Sequence, residues 1–125
     1  MSIRKLAAFA AVTAFAAAPA AALADLNVNA PGFHRVVTST AAGTHSCHVH
    51  RDDLGAQVTC PDTARGTMTF YTDSEGGTPV CELDFWPQTT AGKPWRAILS
   101  HNDGTNGTCS MKWQTGRTLL ISLQQ

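Results

Sequence analysis

The sequence has few charged residues and no excess of either sign. Only 14% of its 125 residues are Asp, Glu, Lys or Arg, and the formal net charge is zero. Proteins that bind nucleic acids or anionic membranes through electrostatics carry a basic surface. The composition therefore argues against a nucleic-acid partner and favours a neutral binding module or a small inhibitor.

Signatures of catalysis are also missing. The chain contains no G-x-S-x-G elbow, no Walker loop and no H-E-x-x-H motif. A small secreted nuclease would use a set such as His50, Glu82, Arg96 and His101, but no motif joins these residues. Enzymatic activity stays open, and a non-catalytic protein is the favoured interpretation.

Long apolar runs are absent outside the N-terminal segment. Residues 1–24 place two basic residues before an Ala-rich stretch and end in Ala22-Leu23-Ala24, which is typical of a secretory signal peptide with an A-x-A cleavage site. Their apolar core is too short and too rich in Ala to span a bilayer. We expect cleavage after Ala24, no membrane span, and a secreted or periplasmic protein in which residues 25–125 form one domain.

The four cysteines predict two disulfide bonds. They are Cys47, Cys60, Cys81 and Cys109, and exported domains of this size use disulfides to reinforce a modest core. Four cysteines allow three connectivities, which sequence alone does not separate. We favour Cys47–Cys60, which would join neighbouring strands, with Cys81–Cys109, which would join equivalent positions of two repeated units.

A segment related to residues 69–85 occurs on either side of it. Residues 35–51 and 97–113 share its apolar pair, its turn rich in Gly, Thr and Asp, and its Cys-x-apolar strand, a pattern that indicates a β-hairpin. Residues 25–33 are expected to form an edge strand or an ordered arm, and residues 117–123 a final strand. The result is an all-β domain of about eight short strands. A sandwich or barrel, a pseudo-threefold arrangement of hairpins and a double Greek key are the open architectures.

Two histidines form the most suggestive metal-binding pattern. His48 and His50 project from the same face of a predicted strand, and zinc or copper accepts two such imidazoles. The repeat places Glu82 and Asp84 at the equivalent outward positions of the second unit, so a metal site forms if the two strands are adjacent. The alternative, more common for a His-x-His pair without a third ligand, is that these residues lie on solvated strand faces.

Tryptophans frame the loop of residues 86–96. Trp86 and Trp95 flank a segment bracketed by prolines, with Lys93 and Arg96 beside them, and loops of this kind bind sugars or partner proteins. The alternative is that both indoles belong to the core. We therefore predict a non-catalytic protein whose loop and hairpin turns bind a carbohydrate or inhibit a secreted hydrolase.

Two further functions stay open. One is an exported protein that binds zinc or copper, or a small metal-dependent enzyme, built on His48 and His50. The other is a secreted toxin or a subunit of a larger assembly, in which sheet edges pair between chains and create a homo-oligomer.

Overall fold

The computed structural model describes residues 24–102 and 107–124, which form nine β-strands and no helix. The strands are β1 (Leu26–Pro31), β2 (Arg35–Thr40), β3 (His48–Asp52), β4 (Gly55–Cys60), β5 (Gly66–Tyr71), β6 (Cys81–Pro87), β7 (Trp95–Asn102), β8 (Thr108–Trp113) and β9 (Thr118–Gln124). The predicted all-β class is confirmed, with nine strands in place of about eight. Of the predicted signal peptide, only Ala24 falls within the described residues, and within them no helix is long and apolar enough to cross a membrane.

The strands form two sheets that pack as a sandwich. One sheet has five strands in the order β3-β4-β1-β9-β8, and the other has four in the order β2-β5-β6-β7. β1 runs parallel to β9, and the other pairings between described strands are antiparallel. The expectation of an edge strand or arm near the N terminus is wrong. β1 is the central strand of its sheet because its alternate residues Leu26, Val28 and Ala30 are all apolar and buried.

Alternating residues of both sheets supply the core. In β6, Cys81, Leu83 and Phe85 are buried between the sheets, as the period of two in a strand requires. Phe70 of β5 packs against Phe33 with the ring centroids 5.5 Å apart. Burial of each large apolar side chain contributes about 1.5–3 kcal/mol. The shared core is therefore what holds the two sheets together.

Two disulfide bonds form, in the favoured pairing. Cys47–Cys60 connects the residue before β3 to the end of β4, within the five-stranded sheet. Cys81–Cys109 connects β6 to β8 and so links the two sheets. Asn102, at the end of β7, donates its Nδ2 to the Cys109 carbonyl at 3.1 Å and accepts the Cys109 N–H at 2.9 Å. We call this part of the sandwich the closed corner, because one covalent bond and two hydrogen bonds join the sheets there.

Among the three predicted hairpins, only the second forms. β5 and β6 pair with each other, whereas β2 and β3 belong to different sheets, as do β7 and β8. Most of the turn predicted at residues 102–106 lies outside the described residues. Apolar and polar residues alternate in the same way when two strands pair edge to edge and when they face each other across a core. The alternation in the sequence therefore could not distinguish a hairpin from two strands in opposite sheets. The threefold repeat of hairpins is not confirmed.

Candidate functional site

A cleft of about 540 Å³ opens at the place where β7 begins and β8 ends. Its two walls are the β6–β7 loop (residues 88–94) and the β8–β9 turn (residues 114–117). Side chains that line it include Gln88, Lys93, Arg96, Ile98, Trp113 and Thr115. The cleft is of a size that binds small ligands or one unit of a polymer.

Hydrogen bonds within the β6–β7 loop fix its shape. The Gln88 backbone N–H donates to the Pro94 carbonyl at 2.8 Å, and the Lys93 N–H donates to the Thr90 carbonyl at 3.0 Å. The Gln88 side chain donates its Nε2 to the Lys93 carbonyl at 2.9 Å. Gly92 has a φ of 77°, a conformation that favours glycine. The loop tip, residues 89–93, is exposed, but hydrogen bonds within the loop hold its backbone in place, and we call the loop braced in this sense.

The β8–β9 turn touches this loop directly. A Cβ atom placed on Gly116 would lie 2.5 Å from the Gly92 carbonyl oxygen, so only glycine allows the two walls to approach this closely. Within the turn, the Gln114 N–H donates to the Thr118 carbonyl at 2.8 Å, and the Arg117 N–H donates to Thr115 Oγ1 at 3.2 Å. Both walls of the cleft are therefore formed by ordered backbone.

Trp95 belongs to the core, which is the alternative that the sequence left open, and it is also among the residues that line the cleft. Its side chain is 3% exposed, and its ring lies 6.2 Å from that of Phe85. The indole N–H donates to the Ala24 carbonyl at 2.6 Å. Trp95 starts β7 on the inward-facing register, which is why its ring supports the cleft from within.

Trp113 is the aromatic residue that the sequence analysis missed as a candidate ligand contact. The repeat assigned it to an inward face with Cys109 and Met111. That assignment is correct, since the half-buried Trp113 ring packs against the core. Because Trp113 is also the last residue of an edge strand, its ring lines the cleft as well. Its position directly before the β8–β9 turn was the available sequence signal.

The remaining predicted binding residues are Trp86, Lys93 and Arg96. Lys93 and Arg96 are exposed and line the cleft. Trp86 is half-buried on the outer face of the four-stranded sheet, where it is the cross-strand partner of Arg96. The Arg96 guanidinium lies 6.0 Å from the centre of the Trp86 ring, within the range of a cation–π contact. Trp86 therefore lies beside the cleft, next to Arg96, and is not among the residues that line it.

Charge is distributed unevenly along the neutral chain. Every acidic residue except Asp103 precedes Gln88, and Asp103 lies outside the described residues. The basic residues that follow Gln88 are Lys93, Arg96, Lys112 and Arg117. Two of these four line the cleft, whereas no Asp or Glu does among the described residues. The described lining of the cleft thus carries two positive side chains and no negative one, although the net charge of the chain is zero.

The structure does not bring the predicted metal-binding residues together. His48 and His50 are exposed on β3, the edge strand of the five-stranded sheet, whereas Glu82 and Asp84 lie on β6 of the other sheet. The condition of adjacent strands is not met, because the repeat that suggested it equated strands of opposite sheets. Across residues 24–102 and 107–124, no group of three or more His, Cys, Asp or Glu side chains could hold a metal ion.

The carboxylate of Glu82 is hydrogen-bonded by neighbouring side chains. Its carboxylate accepts Thr69 Oγ1 and Ser100 Oγ, each at 3.4 Å. His101 is its cross-strand partner on β7. Of the residues considered for a nuclease, only Glu82 and His101 are brought together, while His50 lies in the other sheet.

Asp52 closes the β3–β4 turn next to His50. Its Oδ1 accepts the backbone N–H of Leu54 at 2.8 Å and that of Gly55 at 3.2 Å. The hydrogen bond from the Leu54 N–H is the main reason that the pKa of Asp52 lies below its usual value, and the bond from the Gly55 N–H acts in the same direction. This carboxylate therefore has a structural role in the turn.

Comparison of the chain with protein-family models, with curated proteins and with solved structures finds no match. The functional interpretation therefore depends on the geometry and chemistry of the cleft.

Proposed function

We propose that this protein is a non-catalytic binding protein of an oxidising, extracytoplasmic compartment, and that its cleft binds an acidic carbohydrate. The observation that carries the proposal is the half-buried Trp113 ring between two walls of braced backbone, with Lys93 and Arg96 at the rim. The two disulfide bonds are compatible with such a compartment.

The chemistry of the lining suits a sugar that carries carboxylate groups. The apolar face of a pyranose ring can pack on an indole ring, which offers a large rigid surface at little entropic cost. Arg96 and Lys93 supply charge-assisted hydrogen bonds to a carboxylate. Because the loop is already braced by Gln88, binding requires little ordering of the protein, which favours affinity.

Titration of the protein with polygalacturonate, and in parallel with uncharged dextran, tests this proposal. Binding is followed by the intrinsic fluorescence of the tryptophans and by isothermal titration calorimetry. We expect polygalacturonate to bind and dextran to bind more weakly or not at all. Added salt should weaken the binding of polygalacturonate, because exposed charges are screened within about 8–10 Å at 0.1–0.15 M salt.

Two tryptophan variants locate the site. Trp113→Ala should weaken binding by about tenfold or more, which corresponds to about 1.4 kcal/mol. Trp86→Ala is the matched control, because this residue lies outside the cleft and should change the affinity much less. Circular dichroism establishes that both variants remain folded. Equal affinities for the two variants would place the ligand elsewhere and contradict the proposal.

A third variant changes the shape of the cleft without removing any of its side chains. Gly116→Ala places a methyl group against the Gly92 carbonyl, so the two walls must separate. We expect weaker binding together with some loss of stability, because the methyl group meets backbone that must shift. Circular dichroism establishes that the variant remains folded. An unchanged affinity would show that the ligand does not contact both walls.

A second candidate function, inhibition of a secreted hydrolase, is favoured by the braced and exposed β6–β7 loop. Inhibitory loops present a rigid protruding segment to the enzyme. In this case Lys93→Ala would abolish inhibition of a target hydrolase, and Gln88→Ala would weaken it by loosening the loop. Binding of polygalacturonate without inhibition of any hydrolase in a panel of secreted proteases and glycosidases would exclude this alternative.

A further inference from the structure

The residue that was expected to be the last of the signal peptide is part of the folded domain. Ala24 is half-buried, and its carbonyl accepts the Trp95 indole N–H at 2.6 Å. Trp95 itself is 3% exposed, so its N–H has little access to solvent. The next residues continue the attachment, since Leu26 is fully buried and the Asn27 N–H donates to the Arg117 carbonyl at 2.8 Å.

Cleavage after Ala24 would remove this acceptor. The new N terminus would be the ammonium group of Asp25, which has hydrogens to donate and no lone pair to accept with. The indole nitrogen is likewise only a donor. A buried donor without a partner is costly, and buried indole N–H groups are therefore normally hydrogen-bonded. The fold and the expected cleavage position are in conflict.

Cleavage at an A-x-A motif further upstream would remove the conflict, and the nearest such motif ends at Ala22. Ala20-Ala21-Ala22 also satisfies the A-x-A pattern. We propose that the signal peptidase cleaves between Ala22 and Leu23, so that Ala24 is retained and its carbonyl accepts the Trp95 indole N–H in the mature protein. This inference depends on the predicted signal peptide and not on the proposed ligand.

The retained residue also supports the cleft from behind. Trp95 starts β7, and its backbone carbonyl accepts Gln88 Nε2 at 3.4 Å, beside the bond from the same nitrogen to Lys93. A hydrogen bond that fixes the Trp95 ring therefore also fixes the strand end from which the β6–β7 loop departs. The position of cleavage decides whether the mature domain keeps this support.

The N terminus of the exported protein tests the proposal directly. The full chain is expressed with its own leader, recovered from the periplasm or medium, and analysed by intact mass and N-terminal sequencing. We expect a chain that begins at Leu23. A chain that begins at Asp25, or one that keeps the whole leader, would overturn the proposal.

Stability measurements test the physical reason independently. Two forms of the mature protein are prepared, one beginning at Leu23 and the other at Asp25. The shorter form should have a melting temperature lower by several degrees. In Trp95→Phe, which has no N–H to satisfy, the difference between the two forms should largely disappear. Equal melting temperatures with Trp95 present, or an undiminished difference in the Phe variant, would show that the indole bond does not determine the requirement for Ala24.

Discussion

Removal of each disulfide in turn should reveal which one contributes more to stability. Cys81 and Cys109 are 28 residues apart, and Cys47 and Cys60 are 13 residues apart. A crosslink restricts the unfolded chain in proportion to the logarithm of the loop that it closes. This relation gives about 3.6 kcal/mol for Cys81–Cys109 and about 2.9 kcal/mol for Cys47–Cys60 at 25 °C. Each value is a large part of the total stability of a small domain, about 5–15 kcal/mol.

The double variants Cys81→Ala/Cys109→Ala and Cys47→Ala/Cys60→Ala make the comparison. Urea unfolding, followed by far-UV circular dichroism, gives the free energy of unfolding of each variant and of the parent protein. We expect both variants to fold, with the larger loss for the pair that links the sheets. The reverse order, or a loss below about 1 kcal/mol from either pair, would refute the loop-entropy account. A change in the urea slope would indicate that the unfolded state had altered as well.

Three other substitutions probe the core, a close backbone approach and a turn. Phe70→Ala should lower the free energy of unfolding by about 3–5 kcal/mol, whereas Val37→Ala, at a position 44% exposed, should change it little in the same urea assay. Gly66→Ala should destabilise strongly, because a Cβ would lie against the Ser39 carbonyl. Gly43→Ala is the comparison at a site with open space around it, where only the positive φ opposes the substitution, at a cost of about 1–2 kcal/mol. Asp52→Asn should make the free energy of unfolding depend less on pH in the acid range. The lowered pKa of Asp52 stabilises the folded state above about pH 3.9, and this contribution is lost as the pH falls through the lower pKa that Asp52 has in the folded state. Urea unfolding from pH 2 to pH 6 measures this, and identical acid limbs for parent and variant would contradict it.

The strands and their buried faces were predictable because they depend on short-range alternation. Leu83 and Phe85 are separated by one residue, and so are Val58 and Cys60, and all four side chains are buried as the pattern indicates. The favoured disulfide pairing also agrees with the structure. Cys47 can pair with Cys60 because β3 and β4 form a local hairpin. Cys47 directly precedes β3, and Cys60 is the last residue of β4.

The assignment of strands to sheets was not predictable in the same way. β1 lies between β4 and β9, and its parallel partner is the last strand of the chain. Such long-range pairing is selected by how all apolar faces fit together, and no local residue pattern encodes it. The predicted hairpins at either end failed for this reason, and with them the convergence of His50 and Glu82.

The candidate site was half predictable. Lys93 and Arg96 were expected beside a binding loop, and they line the cleft. Trp95 and Trp113 both pack inward and both line the cleft, but Trp95 is more deeply buried because it begins β7 against the core, whereas Trp113 ends the edge strand β8. Trp95 faces Phe85 and the N-terminal segment, whereas Trp113 faces the space between two connections.

The closed corner and the cleft are opposite ends of the same two edge strands. β7 ends at Asn102, whose side chain forms two hydrogen bonds with the backbone of Cys109 near the start of β8. From Cys109, β8 runs four residues further to Trp113, about 13 Å at the rise of an extended strand. A disulfide bond and two hydrogen bonds join the two edge strands at the closed corner, and the cleft lies at their other end. The cleft is already formed at this end, and we expect recognition of a ligand to depend on the side chains at its rim and on the hydrogen-bonded β6–β7 loop beside them.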